Sequence, residues 1–153
     1  MKIWIVHDSK GGNGKKVAQI LESYLSETNE TEIINVNDFK YYEVLRNEGD
    51  CLILGTPIRI GNASMTVRTW QRKLIKIAKE RERPIPKVMV FVTQCMEGAF
   101  GENLRLLFEN SDAAKEVYPK IIRVRLADVK GPITGESMEM LESIGPEVKK
   151  FFS

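Results

Sequence analysis

Lys2-Ile3-Trp4-Ile5-Val6-His7-Asp8-Ser9-Lys10-Gly11-Gly12-Asn13-Gly14-Lys15-Lys16-Val17-Ala18 decides the fold. An apolar run ends at His7, a glycine-, serine- and lysine-rich turn follows, and a helical pattern then begins. Val17, Ile20, Leu21, Tyr24 and Leu25 recur at helical spacing and give that helix one apolar stripe. Strand, glycine turn and amphipathic helix make the first half of a βαβ unit.

Outward from this stretch the alternation repeats. Apolar runs at Lys2–His7, Glu32–Val36, Asp50–Gly55, Lys87–Thr93 and Ile121–Leu126 are expected to be strands. The third helix carries Val67, Trp70, Leu74 and Ile77 and is expected to end before Pro84. A fourth is expected to begin near Gly101 and to bury Leu104, Leu107 and Phe108. The fifth carries Met138, Leu141 and Val148, with Gly145-Pro146 expected to kink or split it. The second connection, Asp38 to Asn47, is short and its pattern decides no helix.

Such alternation predicts a parallel sheet covered on both faces. Ile3–Val6, Leu52–Leu54 and Val88–Val92 are continuously apolar and belong in the centre of the sheet. Ile33–Val36 is short and Ile122–Leu126 alternates with arginine, so both belong at edges. Order 2-1-3-4-5 with right-handed crossovers follows, a doubly wound three-layer sandwich formed by residues 1–153 as one domain. This order opens a crevice beyond the carboxyl ends of strands 1 and 3. Ligand chemistry is expected in Asp8–Lys15, Thr56–Ser64 and Thr93–Glu102.

Composition narrows the classes of function. The 153 residues carry 23 basic and 21 acidic groups, and a net charge of +2 is too weak a field for a nucleic-acid binder. No apolar stretch reaches the ~20 residues of a membrane span, and no signal-peptide pattern opens the chain. Two cysteines outside any paired spacing suggest a reducing, cytoplasmic setting. Cys51 lies inside a strand and reads as packing. Cys95 reads as a loop thiol without a resolving partner, and His7 as a structural side chain.

Ser9, Lys10, Gly11, Gly12, Asn13 and Gly14 form an anion site at a helix N-terminus. Glycines let the backbone approach a ligand, free N–H groups and the helix dipole favour negative charge, and Ser9, Lys10 or Lys15 adds donors. Phosphate is the expected ligand; a turn built only for tight packing is the alternative. A Walker A loop would need glycine at Ser9 and Ser or Thr at Lys16, and the dinucleotide fingerprint fails at Val17.

Ser9, Gly12, Asn13 and Val17-Ala18 resemble the phosphate loop of flavodoxins, Thr/Ser-x-Thr-Gly-x-Thr followed by a helix. Gly11 and Gly14 stand at its two later hydroxyl positions, leaving backbone amides and lysines to hold the phosphate. Thr56, Pro57, Ile58, Arg59, Ile60 and Gly61 are similar to the second flavin loop of the superfamily. Their Ile-Arg-Ile-Gly portion resembles the protoporphyrinogen oxidase branch. Thr93, Gln94, Cys95, Phe100 and Gly101 resemble the loop that closes on the ring from the other side.

The resemblance implies a flavodoxin-like fold binding flavin mononucleotide (FMN) for electron transfer, with a partner protein or a small molecule as acceptor. Ile58 and Ile60 would supply an apolar face, Arg59 a cation for reduced flavin and Phe100 an aromatic edge, while Trp70 reads as core. Lys10, Lys15, Lys16, Arg59 and Arg68 near the site imply an acidic partner surface. Two alternatives stay open, a flavin-dependent oxidoreductase of the protoporphyrinogen oxidase type and a non-catalytic binding module. A phosphorelay receiver lacks its acidic residues at Gly55-Thr56-Pro57 and has only Asp8 after strand 1.

Overall fold

A computed structural model describes residues 1–153. Seven strands and four α-helices follow in chain order: β1 Lys2–His7, α1 Asn13–Leu25, β2 Glu30–Asn35, β3 Cys51–Arg59, β4 Asn62–Ala63, α2 Met65–Glu80, β5 Ile85–Gln94, α3 Glu102–Glu109, β6 Ala114–Val117, β7 Ile122–Arg125 and α4 Gly135–Phe151. The undecided second connection consists of two 3₁₀ turns, Val36–Asp38 and Tyr41–Leu45.

The main sheet runs β2-β1-β3-β5 and is parallel throughout, with its fifth position shared by two short strands. β6 pairs with Ile85–Val88 at the start of β5, and β7 pairs with Phe91–Gln94 at its end. The expected order is therefore present, and its last strand is interrupted between Val117 and Ile122. Pro119 sits in the gap, where a residue without an N–H cannot continue the ladder.

β3 runs four residues past Gly55, through Pro57 to Arg59, and turns back as a hairpin with β4. Proline is tolerated there because β1 ends at His7 opposite Gly55. Between there and the hairpin pairing at Ile58, Thr56 and Pro57 have only β5 beside them.

The two faces carry separate cores. Ile3, Ile5, Ile53, Met89 and Phe91 pack under α1 and α4, joined by Val17, Leu21, Leu141, Val148 and Phe152. Val6, Leu52, Leu54, Val88 and Val90 pack under α2, α3 and the 3₁₀ turns, with Phe39, Trp70, Leu74 and Phe108. Neighbouring residues of each strand go to opposite cores, as the two-residue period of a strand requires. Trp70 is core as expected, its indole N–H donating to the Phe39 carbonyl at 2.8 Å.

Three expectations are corrected. Leu107 is 45% exposed and Met138 37% exposed, because α3 and α4 turn only narrow stripes inward, through Leu104 and Phe108 and through Leu141 and Val148. Pro146 does not split α4, which runs unbroken from Gly135 to Phe151. Gly145 meets the Tyr24 ring so closely that a Cβ would lie 2.4 Å from it, so packing on α1 holds the helix across this point.

Candidate functional site

Beyond the carboxyl ends of β1, β3 and β5 lies a cleft of about 290 Å³. The first loop contributes Asp8, Ser9, Lys10, Gly11, Asn13 and Gly14. The hairpin contributes Pro57, Ile58, Arg59, Ile60 and Gly61, the end of β5 contributes Thr93 and Gln94, and the loop after it contributes Cys95, Met96 and Phe100. Three separate chain segments singled out in the sequence thus meet in one place.

In the first loop Gly12 adopts φ 86°, in the left-handed region, and caps α1. A Cβ there would meet no atom within 4 Å, so the backbone angle rather than crowding favours glycine. The Gly14 N–H donates to Ser9 Oγ at 3.2 Å and Lys16 N–H to the Gly12 carbonyl at 3.0 Å. The N–H groups of Lys10, Gly11, Gly12 and Asn13 make no hydrogen bond within the protein. Unpaired donors at the start of a 13-residue helix, with Lys10 beside them, form an anion site.

His7 ends β1 beneath this loop, 5% exposed, and its Nδ1 has no partner. Burial, then the charge of Lys15, holds the imidazole below its ordinary range, opposed by Asp8. A neutral ring is the result at pH 7. Burial likewise pushes the Cys51 thiol up, in keeping with a packing role.

The hairpin is anchored at its foot and bent at its tip. Thr56 is buried, and its hydroxyl accepts from Ser64 N–H at 3.1 Å and donates to the Pro57 carbonyl at 3.2 Å. At the tip Ile60 and Gly61 have φ of 50° and 75°, the pattern of a type I′ turn, which favours Asn-Gly. Ile60 is fully exposed in a backbone region that β-branched residues avoid.

The third loop is held from two sides. The Gln94 amide donates to the carbonyls of Met96 and Gly98, each at 3.0 Å. Arg123 Nε donates to the Phe100 carbonyl at 3.1 Å and Arg125 Nε to the Cys95 carbonyl at 3.0 Å. The Phe100 ring packs against Gly98 and lies near Gly61, bridging this loop to the hairpin.

Three expected site residues do not line the cleft. Gly12 shapes the first loop, Thr56 fastens the hairpin, and Gly101 caps α3 where a Cβ would lie 2.7 Å from Val92 Cγ1. Asp8 and Met96 line it from within two of the expected loops, and Leu126 and Val129 line it unanticipated. Leu126 and Val129 follow β7, and the tendency of ligands to collect at strand carboxyl ends is the signal that points to them.

The lining suits a flavin phosphate at one end and a flat, partly apolar ring at the other. Asn13 Oδ1 and Gln94 Oε1 are buried beneath the lining with no donor in the protein. No aromatic sandwich is available: Trp4, Phe39 and Trp70 stack on one another within the α2 side. Phe100 is the one aromatic of the lining.

No protein-family model matches the chain, and no curated relative does. Solved structures do. A flavodoxin from the domain Archaea superposes with a TM-score of 0.73 at 15% identity, over 99% of both chains. Flavodoxin 1 from Bacillus cereus gives 0.74 at 21% identity, over the whole of both. Rubredoxin oxygen:oxidoreductase from Desulfovibrio gigas gives 0.75 at 13% identity, over 99% of this chain and 36% of that one. Sheet order, the site at the β1/β3 switch point and full-length superposition on flavodoxins agree, and the protein has the flavodoxin-like fold.

Proposed function

We propose that the protein binds FMN in this cleft and carries electrons to a partner protein or a small-molecule acceptor. The observation that carries this reading is the convergence of three loops on one cleft. At one end are the unpaired N–H groups of Lys10 to Asn13; along the sides are Pro57, Ile58, Leu126 and Phe100. Its full-length structural neighbours are flavodoxins, among them one described in a two-electron reduced form.

The first loop would hold the phosphate through backbone amides and Ser9, with Lys10 adding charge in place of the hydroxyls absent at Gly11 and Gly14. Ile58, Leu126 and Phe100 would exclude water from the ring. Arg59, exposed at the mouth, would favour negative charge on the ring and so ease its reduction. When bound, the flavin supplies the one- and two-electron chemistry. No helix is long and apolar enough to cross a membrane, and the two free thiols, Cys51 and Cys95, suit a cytoplasmic carrier.

Titrating the protein into FMN should quench flavin fluorescence with a dissociation constant of micromolar or below. Absence of binding at micromolar protein overturns the reading.

A further inference from the structure

α2 is the most basic element of the chain. Five of the 23 basic residues lie within Met65–Glu80, against one of the 21 acidic ones, Glu80, and Arg81 and Arg83 follow its end. Val67, Trp70, Gln71, Leu74 and Ala78 face the core, so the cations are left on the outer surfaces. Arg68, Arg72 and Lys79 line a groove of about 680 Å³ between α2 and α3. Lys76 continues the row along the same helix. At about 1.5 Å of rise per residue, Arg68 to Lys79 spreads charge over roughly 16 Å.

These charges are free to act. Arg68, Arg72 and Lys79 form no salt bridge, and Lys76 meets Glu80 only at 4.0 Å. On α3 the carboxylates are taken: Arg105 holds Glu102 and Glu109, and Arg123 also reaches Glu102. The Nε of Arg68 is buried without a partner, an uncompensated donor in the groove wall.

The floor is apolar, made by half-buried Ile75 and by Leu107, 45% exposed. Beneath it the Gln71 amide donates to the Leu104 carbonyl at 2.6 Å and ties α2 to α3, which fixes the spacing of the walls. No aromatic side chain lines the groove, so it offers nothing for nucleic-acid bases to stack on. Gly61 lines both groove and cleft, so the groove opens beside the candidate flavin site.

We propose that the α2/α3 groove docks an acidic segment of a partner protein, its carboxylates on Arg68, Arg72 and Lys79 and an apolar side chain on Ile75 and Leu107. The position beside the cleft makes this the electron-transfer partner, a clause that rests on the FMN reading. The anchoring surface thus extends from the rim of the cleft along a whole helix.

The test uses the full chain and a fluorescein-labelled peptide of alternating Glu and Asp around a Leu-Phe pair. Controls are the same peptide with Ser-Ser for Leu-Phe and a single-stranded oligonucleotide. The Leu-Phe peptide should bind, and Arg72→Glu with Lys79→Glu should weaken it about tenfold or more at low salt. Leu107→Ser should remove most of the difference between the two peptides while leaving FMN binding unchanged. Three results overturn the proposal: no peptide binding at micromolar protein, indifference to the charge reversals, or tighter binding of the oligonucleotide. Peptide binding without FMN binding would remove the flavin reading and leave the groove; FMN binding without peptide binding would do the reverse.

Discussion

Ser9–Gly14 and Ile58–Asn62 flank the same cleft and are held by different means. The hairpin continues a core strand: Thr56 fastens its foot, and its exposed tip places Ile60 at φ 50°. The first loop shows no such strain. It is held by bonds from Gly14 N–H to Ser9 Oγ and from Lys16 N–H to the Gly12 carbonyl and by the contact of Asn13 with Gly131, and the N–H groups of Lys10 to Asn13 are left for something else. One flank is rigid at the base and strained at the tip; the other is relaxed and unsatisfied. The difference teaches that a single site can draw on two reserves, backbone strain on one side and unused hydrogen-bonding capacity on the other.

The largest expected effect is at the foot of the hairpin. A Cβ on Gly55 would lie 2.0 Å from Phe91 Cζ, so Gly55→Ala must displace a fully buried ring. Urea unfolding should show a loss of about 3 kcal/mol. A loss below about 1 kcal/mol would mean that the foot is not anchored by the core and would break the contrast between the two flanks.

A smaller effect, of opposite sign, is expected at the tip. Ile60→Asn gives the turn the Asn-Gly pair its angles favour and removes an exposed apolar side chain. Stability should rise by about 1 kcal/mol, read as a Tm increase of about 2–4 °C. An unchanged Tm would show that the tip stores no strain.

The smallest effect belongs to the first loop. His7 has its folded pKa held below the ordinary value near 6.5, so on acidification the unfolded chain binds the proton first. The contribution is fully present above pH 6.5 and is lost as pH falls through the lowered value. Protection factors, with the intrinsic pH dependence of exchange removed, should fall below pH 6.5 more at the bonded amides of Asp8 and Gly14 than at Ser64, whose N–H is held by Thr56, and His7→Gln should remove that difference. An equal fall on both flanks would place the titrating group elsewhere.

Much of the fold was legible because strands buried on both faces are continuous apolar runs, and Ile3–Val6, Leu52–Leu54 and Val88–Val92 are of that kind. β6 was not, since Ala114-Lys115-Glu116-Val117 sits at the edge with two exposed charges and pairs on one side only. The extension of β3 was hidden by Pro57, a residue that ends most central strands. Leu107 had helical spacing on a face that turned out to be open, which periodicity alone cannot distinguish from a buried one.

Within the site, glycines and hydroxyls marked the loops and their meeting place. What joins the third loop to the sheet was invisible, because Arg123 and Arg125 read only as the polar half of an edge strand. The contribution of Val129 depended on the path of the chain after β7, for which no motif exists.

That edge strand has one more consequence. Ile122 and Val124 face inward while Arg123 and Arg125 bind the carbonyls of Phe100 and Cys95, so the rim of the sheet is wired to the wall of the cleft. Sequence drift on an outer strand usually passes unnoticed. Here it would retune the chamber from a distance, and the colour of a bound flavin would report the change.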